Sequence, residues 1–208
     1  MPKQSTSPTN RQKPAPIPAS KFTVPGMPTE DGDKAAALLQ KRLVALVDLK
    51  LTLKHIHWNV VGPTFIGVHM MLDPQVDGVA VMVDKTAERI ATLGSSPNGL
   101  AGNLVASRSW DDYSLLRATV AEHLGALDLV YIGVISDHRT ALDEMDDIDP
   151  VSQDMLIQQT AELEQYHWFV RAHLESSSGR LVTAGAVTET SAAKAASKGA
   201  RKSSESRR

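Results

Sequence analysis

Apolar residues recur every three to four positions through most of this chain, the period of amphipathic helices. Leu39, Leu43, Leu46, Leu49 and Leu53 form the first stripe. An Asp31/Asp33 cap predicts where its helix starts, and Val61-Gly62-Pro63 where it stops. A second helix is predicted from about Phe65 to Leu93, stopping at Gly94. Residues 94–109 are rich in Gly, Asn and Ser and read as a connection long enough for a short extra helix. The third helix is expected from about Asp111 to Met145, with Leu115, Leu116, Val120, Leu124, Leu127, Val130 and Val134 on its apolar side. The fourth begins near Pro150, a residue favoured in a first turn, and ends near Glu175. No stretch predicts a strand. The pattern is all-α: a four-helix bundle with one longer connection, between the second and third helices.

The periodicity fails at both ends. Residues 1–30 hold seven of the eleven prolines among Ser, Thr and Gln, and read as a disordered or extended tail. Residues 177–208 are mostly Ala, Ser, Gly, Lys and Arg and are likewise expected to be disordered. The bundle is therefore assigned to 31–176, and 208 residues suit one such domain.

Charge follows the same division. Residues 1–28 carry +4 from Lys3, Arg11, Lys13 and Lys21. Residues 29–175 carry −11 and residues 176–208 carry +5, so the net −2 hides an acidic body between basic ends. There are no cysteines, which excludes a disulfide framework and thiolate metal ligation. No apolar run approaches the roughly 18 residues of a membrane span. No apolar stretch follows Lys3, Arg11 and Lys13, so no secretory signal is read, and a cytoplasmic protein without membrane partners is expected.

Five side chains carry the chemistry. On the second helix His69 and Asp73 are four apart, as are Asp84 and Glu88, and eleven residues separate Asp73 from Asp84. Eleven residues are about three turns, so both pairs face the same way, roughly 16 Å apart. One metal ion cannot touch both pairs of one chain. A second copy of the helix, antiparallel about a two-fold axis near Gly78 and Val79, would bring Asp84 and Glu88 opposite His69 and Asp73. Small Gly78 and Ala80 would permit the close approach. His57 and His69 lie equally far from Pro63, so a hairpin there sets them side by side. Two imidazoles and three carboxylates suit iron, and also manganese or zinc. Acids four apart are more often a solvated face; it is the joint arrangement that points to a site.

His57-Trp58-Asn59-Val60-Val61-Gly62, Phe65-Ile66-Gly67-Val68-His69, Leu72-Asp73, Asp84 and Ala87-Glu88-Arg89 resemble the signature of the DNA-protection-during-starvation (Dps) miniferritins. The spacings of 12, 4, 11 and 4 match across the five ligand positions. The resemblance covers about 30–175 and is strongest to actinobacterial members, which share a stretch like Phe22-Thr23-Val24-Pro25-Gly26. It implies a ferritin-like fold, the topology to which the helix pattern already points. It further implies a twelve-subunit shell, Fe²⁺ oxidation preferably by hydrogen peroxide, and a ferric oxide core. Met70 departs from the family, where Glu is common after the histidine.

Other residues have two readings. Trp58 resembles the family's site-adjacent Trp and would intercept radicals, or is an interface hydrophobe. Lys54, one turn before His57, would offset carboxylate charge, or is merely solvated. Glu164-x-x-His167 matches half of an intra-bundle di-iron motif; the other half is missing, so it reads as incidental and no haem is expected. Acids at Asp143, Glu144, Asp146, Asp147, Asp149 and Asp154 suit an iron-entry pore at a three-fold axis, lined by Asp149, Asp154 and Asp146, or a solvated connection. Lys194, Lys198, Arg201, Lys202, Arg207 and Arg208 suit sequence-independent DNA binding, or are an ordinary solubilising tail. The expected function is therefore a ferroxidase and iron-storage protein of the nucleoid. The alternative is a nucleoid-binding structural protein with a secondary iron site.

Overall fold

A computed structural model describes residues 19–176 and 178–205, with residues 202–205 as backbone alone. The expectation of disorder for residues 1–18 lies outside the described residues. Two antiparallel helix hairpins form the bundle: α1 (Thr29–Asn59) with α2 (Phe65–Thr92), and α4 (Val120–Met145) with α5 (Pro150–Leu174). A short helix α3 (Ala101–Ser107) occupies the long connection, as expected.

The stripe of α1 is buried at every predicted leucine: Leu39, Leu43, Leu46, Leu49 and Leu53 are at most 1% exposed. Around the middle of the bundle they meet Leu72, Leu127 and Leu163; towards the start of α1 they meet Ile90, Leu93 and Leu156. The start of α1 differs from expectation. The helix begins at Thr29 behind Pro28, and Glu30 and Asp31 occupy its first turn, where acids suit the helix dipole. Asp33 instead accepts the Ser20 main-chain N–H at 3.0 Å, and Ser20, through its side chain first and its backbone second, holds the Asp33 carboxyl below the usual range. Gly62, at φ +122°, turns the chain into α2.

A two-residue parallel ladder, β1 (Val60–Val61) with β2 (Ala118–Thr119), ties the first hairpin to the entry of α4. No strand was expected there. The third long helix also starts later than its apolar pattern suggested. Thr119 and Glu122 form a capping box that fixes the start at Val120. Leu116, read as part of the stripe, is 75% exposed. The preceding segment is held to α1 instead: Arg108 pairs with Asp48 at 3.1 Å, and the Trp110 indole donates to Asp48 at 2.7 Å.

The C-terminal region is the largest departure. Instead of a disordered tail over the described part of 177–208, the chain forms α6 (Glu189–Glu205), packed along α4. Ala192, Ala193 and Ala196 are buried, and Gly125 lets the α6 backbone approach: an added Cβ would lie 2.6 Å from the Ala192 carbonyl oxygen. Asp128, 2% exposed, secures the segment by accepting from His167 Nε2 and Thr183 Oγ1, each at 2.7 Å. Burial alone would raise the Asp128 pKa, but these two partners outweigh it and leave the carboxyl below its ordinary value.

Candidate metal centre

The α1–α2 hairpin brings His57, His69 and Asp73 together, with one ligand atom from each lying within 4.8 Å of the others. The imidazoles stack with centroids 3.6 Å apart, side by side as the symmetry about Pro63 required. His69 Nδ1 lies 2.9 Å from the His57 carbonyl oxygen. A carbonyl only accepts, so Nδ1 carries the proton and Nε2 keeps its lone pair for a metal.

His57 is 8% exposed, yet neither of its ring nitrogens has an aligned hydrogen-bond partner. Its Nε2 lies 2.9 Å from Asp73 Oδ1, a short contact not directed along an N–H bond. A buried unpartnered nitrogen beside a carboxylate is what a pair of ligands aimed at a common cation looks like. Lys54 Nζ lies 3.0 Å from the same oxygen. Foremost through Lys54, the Asp73 carboxyl is held below its usual value; desolvation opposes this next, and His57 adds to the lowering. Lys54 thus touches a candidate ligand, Asp73, from its position one turn before His57.

Asp84 and Glu88 are exposed on α2, away from this cluster. Three of the five expected ligands therefore converge within one chain. Phe65 lies edge-on to His69 with centroids 6.2 Å apart, and the apolar residues next to the histidines in the chain are solvent-facing: Trp58 is 71% exposed, Met70 64%, Ile66 53% and Phe65 41%. Gly78 does not serve the role expected of it. It receives Tyr166 of the same chain, whose hydroxyl occupies the place of an added Cβ. Pro74 went unremarked in the sequence. It lies inside α2 next to Asp73 and leaves the Met70 carbonyl without its helical donor.

Asp149 is 2% exposed, caps α5 by accepting the Val151 N–H, and pairs with Arg89 at 2.7 Å and with Ser152. It is committed within the chain, so it is not the solvent-facing pore acid expected of it. Asp146 and Asp154 do face solvent, each accepting from a glutamine at 2.7 Å. Glu164 and His167 diverge, the first to Arg139 and the second to Asp128, as an incidental motif should. Lys194, Lys198 and Arg201 are exposed on α6, and Arg201 acts electrostatically on Glu122. The side chain of Lys202, and Arg207 and Arg208 entirely, lie outside the described residues.

The ferritin-like domain family matches residues 36–178. The DNA protection during starvation protein of Mycolicibacterium smegmatis is 56% identical over 172 residues, covering 83% of this chain and 94% of that protein. The solved structure of Mycobacterium smegmatis Dps, 56% identical, covers 80% of this chain and 95% of its own with a TM-score of 0.79. DpsA14 from Streptomyces coelicolor, also 56% identical, covers 78% and 98% with a TM-score of 0.77. With the paired histidines and their carboxylate in place, this chain belongs to the ferritin-like family and, within it, to the Dps proteins.

Proposed function

We propose that this protein is a ferroxidase and iron-storage miniferritin whose site is completed by a second copy of the chain. The observation that carries the reading is the convergence of His57, His69 and Asp73, flanked in the chain by exposed apolar residues, with Asp84 and Glu88 displaced along the same helix. A two-fold partner would cover Trp58, Ile66 and Met70 and supply the two missing carboxylates. Fe²⁺ is the substrate. Two Fe²⁺ ions each give one electron to one hydrogen peroxide; its O–O bond breaks, two protons are taken up, and two waters leave. Such two-electron reduction avoids hydroxyl radical. The residues here bind and orient: neutral imidazole lone pairs and an ionised Asp73 hold cations.

In this reading the ferric product mineralises as oxide inside a shell of twelve subunits. Asp146 and Asp154 draw Fe²⁺ to a pore, and Trp58 stands close enough to the site to intercept stray oxidant. The basic face of α6 binds DNA without reading bases, which would hold the protein at the nucleoid in the cytoplasm. Among the described residues no helix is long and apolar enough to cross a membrane.

The test is stopped-flow Fe²⁺ oxidation with peroxide and, separately, with air. Asp84→Ala with Glu88→Ala, both exposed in the single chain, should abolish the fast peroxide phase while helix content and assembly persist. Unchanged single-turnover rates would defeat the assignment.

A further inference from the structure

Apart from the histidine cluster, a cavity of about 500 Å³ opens between α1, residues 110–114, α4 and residues 187–190. That volume falls within the roughly 300–1,000 Å³ of small-molecule sites. Its floor is apolar, from Leu49, Val130 and Val134, and Trp110 forms part of its wall. Five carboxylates line it: Asp48, Asp111, Asp112, Asp137 and Glu189. Two cations answer them. Arg108 pairs with Asp48 and Asp112, and Arg42 reaches Asp137 at 3.4 Å. Glu189 accepts the Ser114 main-chain N–H at 2.7 Å, a neutral donor that leaves its charge in place.

Thr52 adds an independent sign of a ligand. It is 8% exposed as a residue and lines both this cavity and an adjoining one of about 460 Å³, where its hydroxyl makes no side-chain hydrogen bond to the described residues and stays open to the cavity. That hydroxyl faces the cavity with an acceptor and a donor unused.

We propose that this cavity binds an aliphatic polyamine, a methylene chain bearing two or more ammonium groups. The lining argues for that class over its rivals. Anions meet uncompensated negative charge. An inorganic cation gains nothing from Leu49, Val130 and Val134, and a neutral apolar ligand would strip water from carboxylates without replacing it. A polyamine satisfies every wall. Its methylenes cover the apolar floor, one ammonium donates to Thr52 and Asp111, another lies towards Asp137 and Glu189, and the Trp110 ring offers a cation–π face. The two cavities share Asp48, Thr52, Asp112 and Tyr113, so an extended chain can run from one into the other. Because Thr188 and Glu189 open the C-terminal helix, the ligand bridges the bundle and α6.

The inference is independent of the iron site and is tested by isothermal titration of the full-length assembled protein with spermidine at physiological salt. Butylamine and MgCl₂ serve as comparison titrants. One saturable spermidine per chain is expected, with butylamine at least tenfold weaker. Thr52→Val with Asp111→Asn should weaken spermidine at least tenfold and leave Fe²⁺ oxidation and helix content unchanged. Asp111→Asn alone, at an exposed position, should weaken it several-fold and guards against a folding defect in the double variant. Bound spermidine should also slow amide exchange over residues 187–192. Equal affinity in wild type and both variants would overturn the proposal. So would Mg²⁺ displacing spermidine at equal charge concentration, the behaviour of a diffuse acidic surface.

Discussion

The Nδ1 of His69 lies 2.9 Å from the main-chain oxygen of His57, so the backbone of one histidine sets the tautomer of the other. The two histidines are a unit of one chain, and Asp84 and Glu88 must act from another if they act at all. Two variants separate the halves: His57→Ala with His69→Ala, and Asp84→Ala with Glu88→Ala. Each alone should be nearly inactive. Chains dissociated and reassembled as a mixture should regain activity, because a mixed pair holds one intact site of its two. Native mass spectrometry establishes mixing. Mixed assemblies as inactive as their parents would refute completion across a two-fold axis.

Stability should fall in mild acid through the bundle's buried histidines. His138 is fully buried, and burial first, then the charge of Arg42, pushes its pKa down to about 4. Unfolded, the same imidazole titrates near about 6.5. Above that value both states are neutral and nothing is lost. As pH falls from about 6.5 towards 4 only the unfolded chain takes up the proton, so unfolding becomes easier. The loss from His138 is on the order of 3 kcal/mol at pH 4. His123, also displaced downward chiefly by burial, adds with the same sign. Melting temperature measured at fixed protein concentration between pH 7 and 4.5 should decline, and His138→Gln should flatten the decline. An identical slope in the variant would show that the acid response lies elsewhere.

Gly125 decides whether α6 stays docked. An added Cβ would sit 2.6 Å from the Ala192 oxygen and 2.8 Å from the Ala196 Cβ, and the first of these is backbone that cannot yield by changing rotamer. Gly125→Ala raises the helix propensity of α4 itself. Its expected effect is confined to α6: amide protection over 192–199 should drop at least tenfold, with the bundle amides and Fe²⁺ oxidation unchanged. Retained protection in α6 would mean the contact accommodates a methyl group.

How far the sequence disclosed these features depends on the kind of signal each left. His57 and His69 were legible because a hairpin with a marked turn converts equal spacing into adjacency. The leucines of α1 were legible because their period is clean. The start of α4 was misjudged although its signal, Thr119-x-x-Glu122, stood in the chain; the apolar period of Leu115 and Leu116 drew the boundary too early. Helix α6 was missed because its buried face is alanine, which adds little to any apolar period, and its partner is a glycine far away in sequence. Gly78 was correctly read as a point of close approach but given the wrong partner, since spacing along α2 cannot say that Tyr166 fills the space. Asp149 just before Pro150 reads equally as an N-cap, and the buried Arg89 pair that settles its role is invisible from its own neighbourhood.

A docked α6 changes what should be expected of DNA binding. Lys194, Lys198 and Arg201 stand exposed on the side of α6 away from buried Ala192, Ala193 and Ala196, so the cations form an ordered stripe rather than a loose tail. At about 1.5 Å per residue, Lys194 and Lys198 are roughly 6 Å apart along the axis, close enough to meet neighbouring phosphates. Many copies on one shell would add avidity to each weak contact. Deleting 180–208 is a poor test by itself, because it also strips Thr183 from Asp128 and uncovers Gly125. Changing Lys194, Lys198 and Arg201 to Gln keeps Ala192, Ala193 and Ala196 in place, although it also removes the Arg201 charge that acts on Glu122. That triple variant should bind duplex DNA more weakly whatever the sequence. Its plot of log affinity against log salt should be shallower by roughly 2–3 for each α6 engaged. Gly125→Ala supplies the contrast: with the charges kept but the stripe undocked, affinity should fall several-fold with little change in slope. Gel-shift titrations across a salt series measure both. Equal affinity and slope in the triple variant and the wild type would remove α6 from DNA binding and leave residues 1–28 as the basic segment to test.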